Sequence, residues 1–158
     1  MSKAIDQHIK DGSRVISIEH GVGRMIGCFI LYDCIDDFIE VKFDSGIKNQ
    51  FFCIKHKNDF RILSSMVDLQ FALEELNALL IGPAEYIVNT QESESFLSKS
   101  SLSIVIETAI LLRNSKITQN EKLNLESLLS SLALEISTVF EVDLATGRGI
   151  LADYLKAA

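Results

Sequence analysis

Cys53-Ile54-Lys55-His56 has the spacing of half a zinc site, with His20 as a third ligand. Structural zinc takes four thiolate or imidazole donors, usually as two close-spaced pairs. No second such pair occurs in this chain. Cys28, Cys34 and Cys53 each lie in or beside an apolar run, where a free thiol packs as a small hydrophobe. Three thiols cannot all pair, so we read them as structural cysteines, without metal or disulfide framework. His20 as a general base would need a nucleophile and an orienting carboxylate, and neither is identifiable near it in sequence. We read it as a turn histidine that hydrogen-bonds the backbone.

Gly21-Val22-Gly23 invites a phosphate-loop reading, but it precedes an apolar strand, so no helix N-terminus awaits an anion. A tight turn between strands is the simpler reading. Gly147-Arg148-Gly149 lacks the Gly-Lys-Ser/Thr ending of a nucleotide loop. Asp33, Asp36 and Asp37 lack the alternate oxygen ligands of a calcium loop and read as a solvated hairpin. The serines at 93, 95, 98, 100, 101 and 103 read as loop and helix-start residues. No catalytic residue, metal ligand or cofactor site emerges, and we expect a protein that is not an enzyme.

Charge separates the chain into halves. Residues 1–64 hold 9 Lys+Arg and 9 Asp+Glu, whereas residues 65–158 hold 6 against 13, the whole net charge of −7. A half that held nucleic acid by phosphate contacts would carry the opposite sign. The hydrophobic share of 47% is ample for a packed core and excludes a disordered chain. The longest apolar run, residues 104–112, contains Glu107 and falls far short of the roughly 20 residues that span a bilayer. The first residues lack a signal peptide's apolar stretch, so the expected compartment is the cytoplasm.

The elements follow from period. Residues 14–18 and 38–43 alternate, residues 25–31 are apolar, and residues 47–53 follow an Asp44-Ser45-Gly46 turn. Residues 60–63 make a short closing strand. Phe51 and Phe52 fall on opposite faces of their strand, so at least one ring faces something other than the barrel's core. Beyond Ser64-Ser65 the period becomes helical: Met66, Leu69, Leu73, Leu76 and Leu80 form a stripe, with Phe71 and Leu79 beside it. Gly82-Pro83 stops that helix. A helix over 96–113 is apolar nearly all round, which suits the middle of a bundle. Thr118-Gln119-Asn120-Glu121 is a capping box opening a helix to about Phe140, with stripe Leu125, Leu128, Leu129, Leu132, Ile136 and Val139. Asp143 caps a last helix, inside which Gly147 and Gly149 suggest close packing. The fold expected is α+β, a small antiparallel β-barrel of the Tudor/SH3-like kind at 1–64 followed by a helical bundle at 65–158.

Two patches carry a resemblance. Gly12-Ser13-Arg14-Val15-Ile16-Ser17-Ile18-Glu19-His20-Gly21-Val22-Gly23 resembles the opening Gly-Asp-x-Val-Val-Tyr-Pro-x-His-Gly-Val-Gly of the bacterial RNA-polymerase-interacting family that includes CarD, CdnL and a domain of the transcription-repair coupling factor. Ile117-Thr118-Gln119-Asn120-Glu121-Lys122, with Ala133-Leu134-Glu135 further on, is similar to the Leu-Ser-x-x-Glu-Lys and Leu-x-x-Glu-Leu-Ala stretch of its stand-alone members. The order of modules also fits.

The resemblance implies a transcriptional regulator whose barrel binds the RNA polymerase β subunit by strand-edge pairing. It implies polymerase contacts at Leu31, Lys48, Phe51 and Phe52, and DNA-facing positions at Tyr86, Lys99 and Arg113. In the family a tryptophan wedge followed by basic residues props open promoter DNA, compensating the cost of unstacking a base step. This chain has no tryptophan, and its corresponding region carries Glu85, Glu92 and Glu94. Tyr86 is the one aromatic there in the wedge's place. Binding of the helical half to free duplex is therefore expected to be weak and salt-sensitive, or absent. The alternative is a protein–protein adaptor or acidic DNA mimic that keeps the scaffold without the transcriptional role.

Overall fold

The computed structural model describes residues 12–30, 37–53, 61–83 and 101–156. They form two compact units, Met1–Leu63 and Ser64–Ala158. The first is a five-stranded antiparallel sheet, curled into a half-barrel, and the second holds four helices.

In the sheet, β1 (Arg14–Ser17), β2 (Gly21–Ile30), β3 (Asp37–Phe43), β4 (Gln50–Cys53) and β5 (Arg61–Ile62) stand in the order β4-β3-β2-β1-β5. The alternation of β3 sends Ile39, Val41 and Phe43 inward to pack with Val15, Met25 and Phe52. β2 is long enough to pair with both neighbours, and its register with β3 slips between Met25 and Gly27. Such a bulge bends a strand and increases its twist, which helps curl a sheet of this size. The strand expected over 47–53 is shorter, because residues 46–49 make no ladder with β3.

The turn before β2 is organised by Ser17, whose hydroxyl accepts from the backbone N–H groups of Glu19 and His20, each at 3.2 Å. His20 therefore contributes its amide to this turn. Its ring packs on Phe43, centroids 5.2 Å apart. Gly21 has φ of +81°, the left-handed turn residue of the group. Gly23, expected in the same turn, instead lies inside β2, opposite Val15 on one side and Phe43 on the other.

In the second unit α1 (Met66–Ile81), α2 (Ser101–Arg113), α3 (Gln119–Val139) and α4 (Leu144–Leu155) pack in sequence, and α4 returns to α1. Ser65 caps α1 by accepting from the Asp68 amide at 3.1 Å. The buried face of α1 is Leu69, Ala72, Leu73, Leu76 and Leu79. Leu69, Leu73 and Leu76 are buried as expected, whereas Met66 and Phe71 are exposed and Leu80 is only half-buried, with Leu79 and Ala72 completing the inward face. α2 is buried over most of its circumference. Its inward Thr108 hydroxyl is satisfied by the Ile104 carbonyl at 2.6 Å. The capping box of α3 is complete: Thr118 Oγ1 accepts from the Glu121 amide, and Glu121 Oε1 accepts from the Thr118 amide. Gly147 is a point of close approach, where a Cβ would lie 2.8 Å from the Ala133 carbonyl oxygen. Gly149 faces open space, contrary to the expectation of close packing at both glycines.

Asp143 caps α4 by accepting from the Thr146 amide at 2.6 Å. That hydrogen bond to backbone holds its carboxyl below the ordinary value of 3.8. A depressed folded-state pKa contributes stability that is full above the ordinary value and is lost as pH falls through the lowered one. Amide protection at Thr146 and Gly147 is thus expected to fall in that acid range. Asp143→Asn, which keeps an acceptor without a titration, is expected to flatten the profile. An unchanged profile in the variant would remove the role assigned to Asp143.

Candidate interaction surface

β4 stands at one end of the strand order, and its register fixes which phenylalanine looks outward. Phe52 lies opposite Ile39, a core residue, and Phe51 lies opposite Glu40. Phe52 is 8% exposed and meets Phe43 edge-on at 6.1 Å, whereas Phe51 is 57% exposed. Of the two aromatics predicted to face a partner, Phe52 therefore belongs to the core. Around Phe51 the outer face is polar: Glu40 accepts from Asn49 Nδ2 at 3.2 Å, and Lys42 is exposed. Ile47 and Lys48 are exposed on the approach to β4, where the Lys48 carbonyl accepts from Gln50 Nε2 at 2.8 Å. An exposed ring ringed by mixed charge has the make-up of a protein interface, with an aromatic anchor and a polar rim.

Arg113, predicted to face DNA, has another task. One guanidinium nitrogen donates to the carbonyls of Leu79, at 2.8 Å, and Gly82. Those carbonyls, at the C-terminal end and cap of α1, lack N–H donors within their own helix. The arginine at the end of α2 thus closes the end of α1. Leu31, Tyr86 and Lys99 lie outside the described residues, as does His56 of the Cys53–His56 pair. Among the described residues no group of three or more His, Cys, Asp or Glu could hold a metal ion, and no helix is long and apolar enough to cross a membrane.

One polar cluster escaped the sequence reading. Glu135 of α3 is fully buried, and its carboxyl oxygens accept from Ser101 Oγ at 2.6 Å and from the Ser64 amide at 3.3 Å. The hydroxyls of Ser64 and Ser101 are 2.5 Å apart. A serine hydroxyl has one proton, and that of Ser101 goes to Glu135, so Ser64 donates to Ser101. The cluster ties the first residue of the helical unit to the start of α2 and the middle of α3. The signal was present: Glu135 falls one heptad after Leu128, on the buried stripe.

No protein-family model matches the chain, and no curated protein matches it.

Proposed function

We propose that the chain is a transcription accessory protein whose half-barrel, a Tudor/SH3-like domain, docks on the β subunit of RNA polymerase. The observation that carries this reading is Phe51, an aromatic ring more than half exposed on the end strand β4, within a polar surround. The sequence patches at 12–23 and 117–135 add the resemblance to polymerase-interacting proteins. Docking sets Phe51 into an apolar recess of the polymerase, with Lys48 and Ile47 at the margin. The helical unit follows the same chain to the promoter, but its charge makes it a poor holder of phosphate. Arg113, already committed to α1, adds little to any DNA contact.

The test is retention on immobilised RNA polymerase core. Wild type is expected to be retained, and Phe51→Ala with Lys48→Glu is expected to bind at least about tenfold more weakly, as for loss of an aromatic anchor. Both side chains are exposed, so the variant keeps its fold. Equal retention of the two proteins would move the docking site off β4. Retention of neither would leave the adaptor reading in its place.

A further inference from the structure

We propose that the outward face of α1, with the depression it forms beside α4, is a docking groove for a basic, amphipathic segment of a partner protein. This surface is separate from Phe51 and stands whether or not the half-barrel binds polymerase.

α1 has two apolar faces, and only one is used inside its unit. Opposite the buried stripe lie Val67, Phe71, Ala78 and Ile81, at alternating intervals of a turn, with Glu74 at their centre. Val67 is 76% exposed, Phe71 55% and Ile81 62%. Single exposed hydrophobics are ordinary, but a run of them along one helical stripe marks an interaction surface. Beside the stripe is an open depression of about 270 Å³ lined by Glu74, Asn77, Asp153 and Tyr154. Its floor is held by Asn77 Nδ2, which donates to the Tyr154 carbonyl at 3.0 Å. Among the described residues, two carboxylates and no cation line it. Asp153 meets Lys156 only at 3.7 Å in a fully solvated pair, which a partner's cation can displace.

Charge selects the occupant. A second copy packing antiparallel on this stripe would set Val67 against Ile81 and bring Phe71 beside Ala78. It would also set Glu74 against Glu74, since residue 74 is midway between 67 and 81, and like charges directly opposed are unfavourable. The chain's own segment 84–100 carries Glu85, Glu92 and Glu94 against Lys99 alone, and is repelled by the same carboxylates. A helix with an apolar stripe flanked by Lys or Arg satisfies both features. Its apolar residues cover Phe71 and Val67, and a cation enters between Glu74 and Asp153. This is the helix-in-groove mode, with charge setting register and excluding acidic competitors. The excess of acid in this half supplies a field that draws such a segment in.

The test uses the full chain and two labelled synthetic helical peptides. One has a leucine stripe flanked by lysines, and the other has glutamate in place of each lysine. Fluorescence anisotropy at physiological salt is expected to show saturable binding of the lysine peptide alone. Phe71→Ala is expected to weaken it about tenfold or more, and Glu74→Lys with Asp153→Lys to abolish it. Leu123→Ala, which removes a similarly exposed apolar side chain from α3, should leave it unchanged. Lack of saturable binding, or equal binding of the glutamate peptide, would overturn the proposal. So would binding that responds to the charge reversals but not to Phe71→Ala, since that is diffuse attraction to an acidic surface.

Discussion

Gly23→Ala is expected to cost the half-barrel about 3 kcal/mol, the upper range for forcing an extra carbon into a packed interior. A Cβ at this position would lie 2.7 Å from Val41 Cγ1, 2.9 Å from the Lys42 carbonyl oxygen and 2.9 Å from Phe43 Cδ1. The valine and phenylalanine are core side chains with no room to turn, and the carbonyl is backbone in the β2–β3 ladder. Nothing at this contact is a flexible tip. Relief requires β2 and β3 to separate, which opens the core that Phe43 and Phe52 fill. For a unit this small the melting temperature should fall on the order of 15 °C. Hydrogen exchange should accelerate at β2 and β3 while α3 keeps its protection. A variant that melts with wild type would show that the strands have slack at this crossing. The second glycine of the His20-Gly21-Val22-Gly23 patch is therefore a packing requirement, whereas the first is a conformational one.

The second large effect is expected at Glu135. Glu135→Ala removes the acceptor for the buried Ser101 hydroxyl and for the Ser64 amide, and leaves a void between α2 and α3. Orphaned buried donors and a cavity together are expected to cost about 3 to 4 kcal/mol. Glu135→Gln keeps the volume and one oxygen acceptor, but turns an amide N–H2 toward a donor. Its cost should be about half as large. Denaturant unfolding of both variants, with the slope unchanged, measures the difference. If alanine and glutamine cost the same, the carboxylate's hydrogen bonding, and not the side chain's volume, is what α3 requires.

The elements that sequence reading located well are those whose cause is local. Thr118 with Glu121 and Asp143 with Thr146 each place a helix start, because the capping atoms belong to residues three apart in sequence. The alternation of residues 38–43 identified β3 and its inward face for the same reason. What escaped was set by neighbours distant in sequence. Gly147 and Gly149 look alike in the sequence, and it is the approach of Ala133 and Ser137 to Gly147 alone that distinguishes them. Alternation says that Phe51 and Phe52 face opposite ways, but the pairing with Ile39 decides which is inside. The resemblance turns Arg113 toward DNA, and only the carbonyls at the end of another helix give it a different task. At the end of the α1 stripe, period alone favours Leu80 over Leu79, because the two are equally apolar. Packing on α2 and α4 chose between them.

The pairing of β5 with β1 bears on how the molecule carries load. Val15 sits opposite Ile62, Ile16 opposite Arg61, and the Leu63 amide donates to the Arg14 carbonyl at 3.0 Å. The chain thus leaves the sheet at the place where it came in. A pull between residue 14 and the helices acts across these few bonds in turn, peeling β5 away one pair at a time. β2, β3 and β4 lie outside that path and feel the pull only after β5 has gone. A protein tethered at both ends to larger bodies in relative motion would therefore lengthen at β5 before its core gave way.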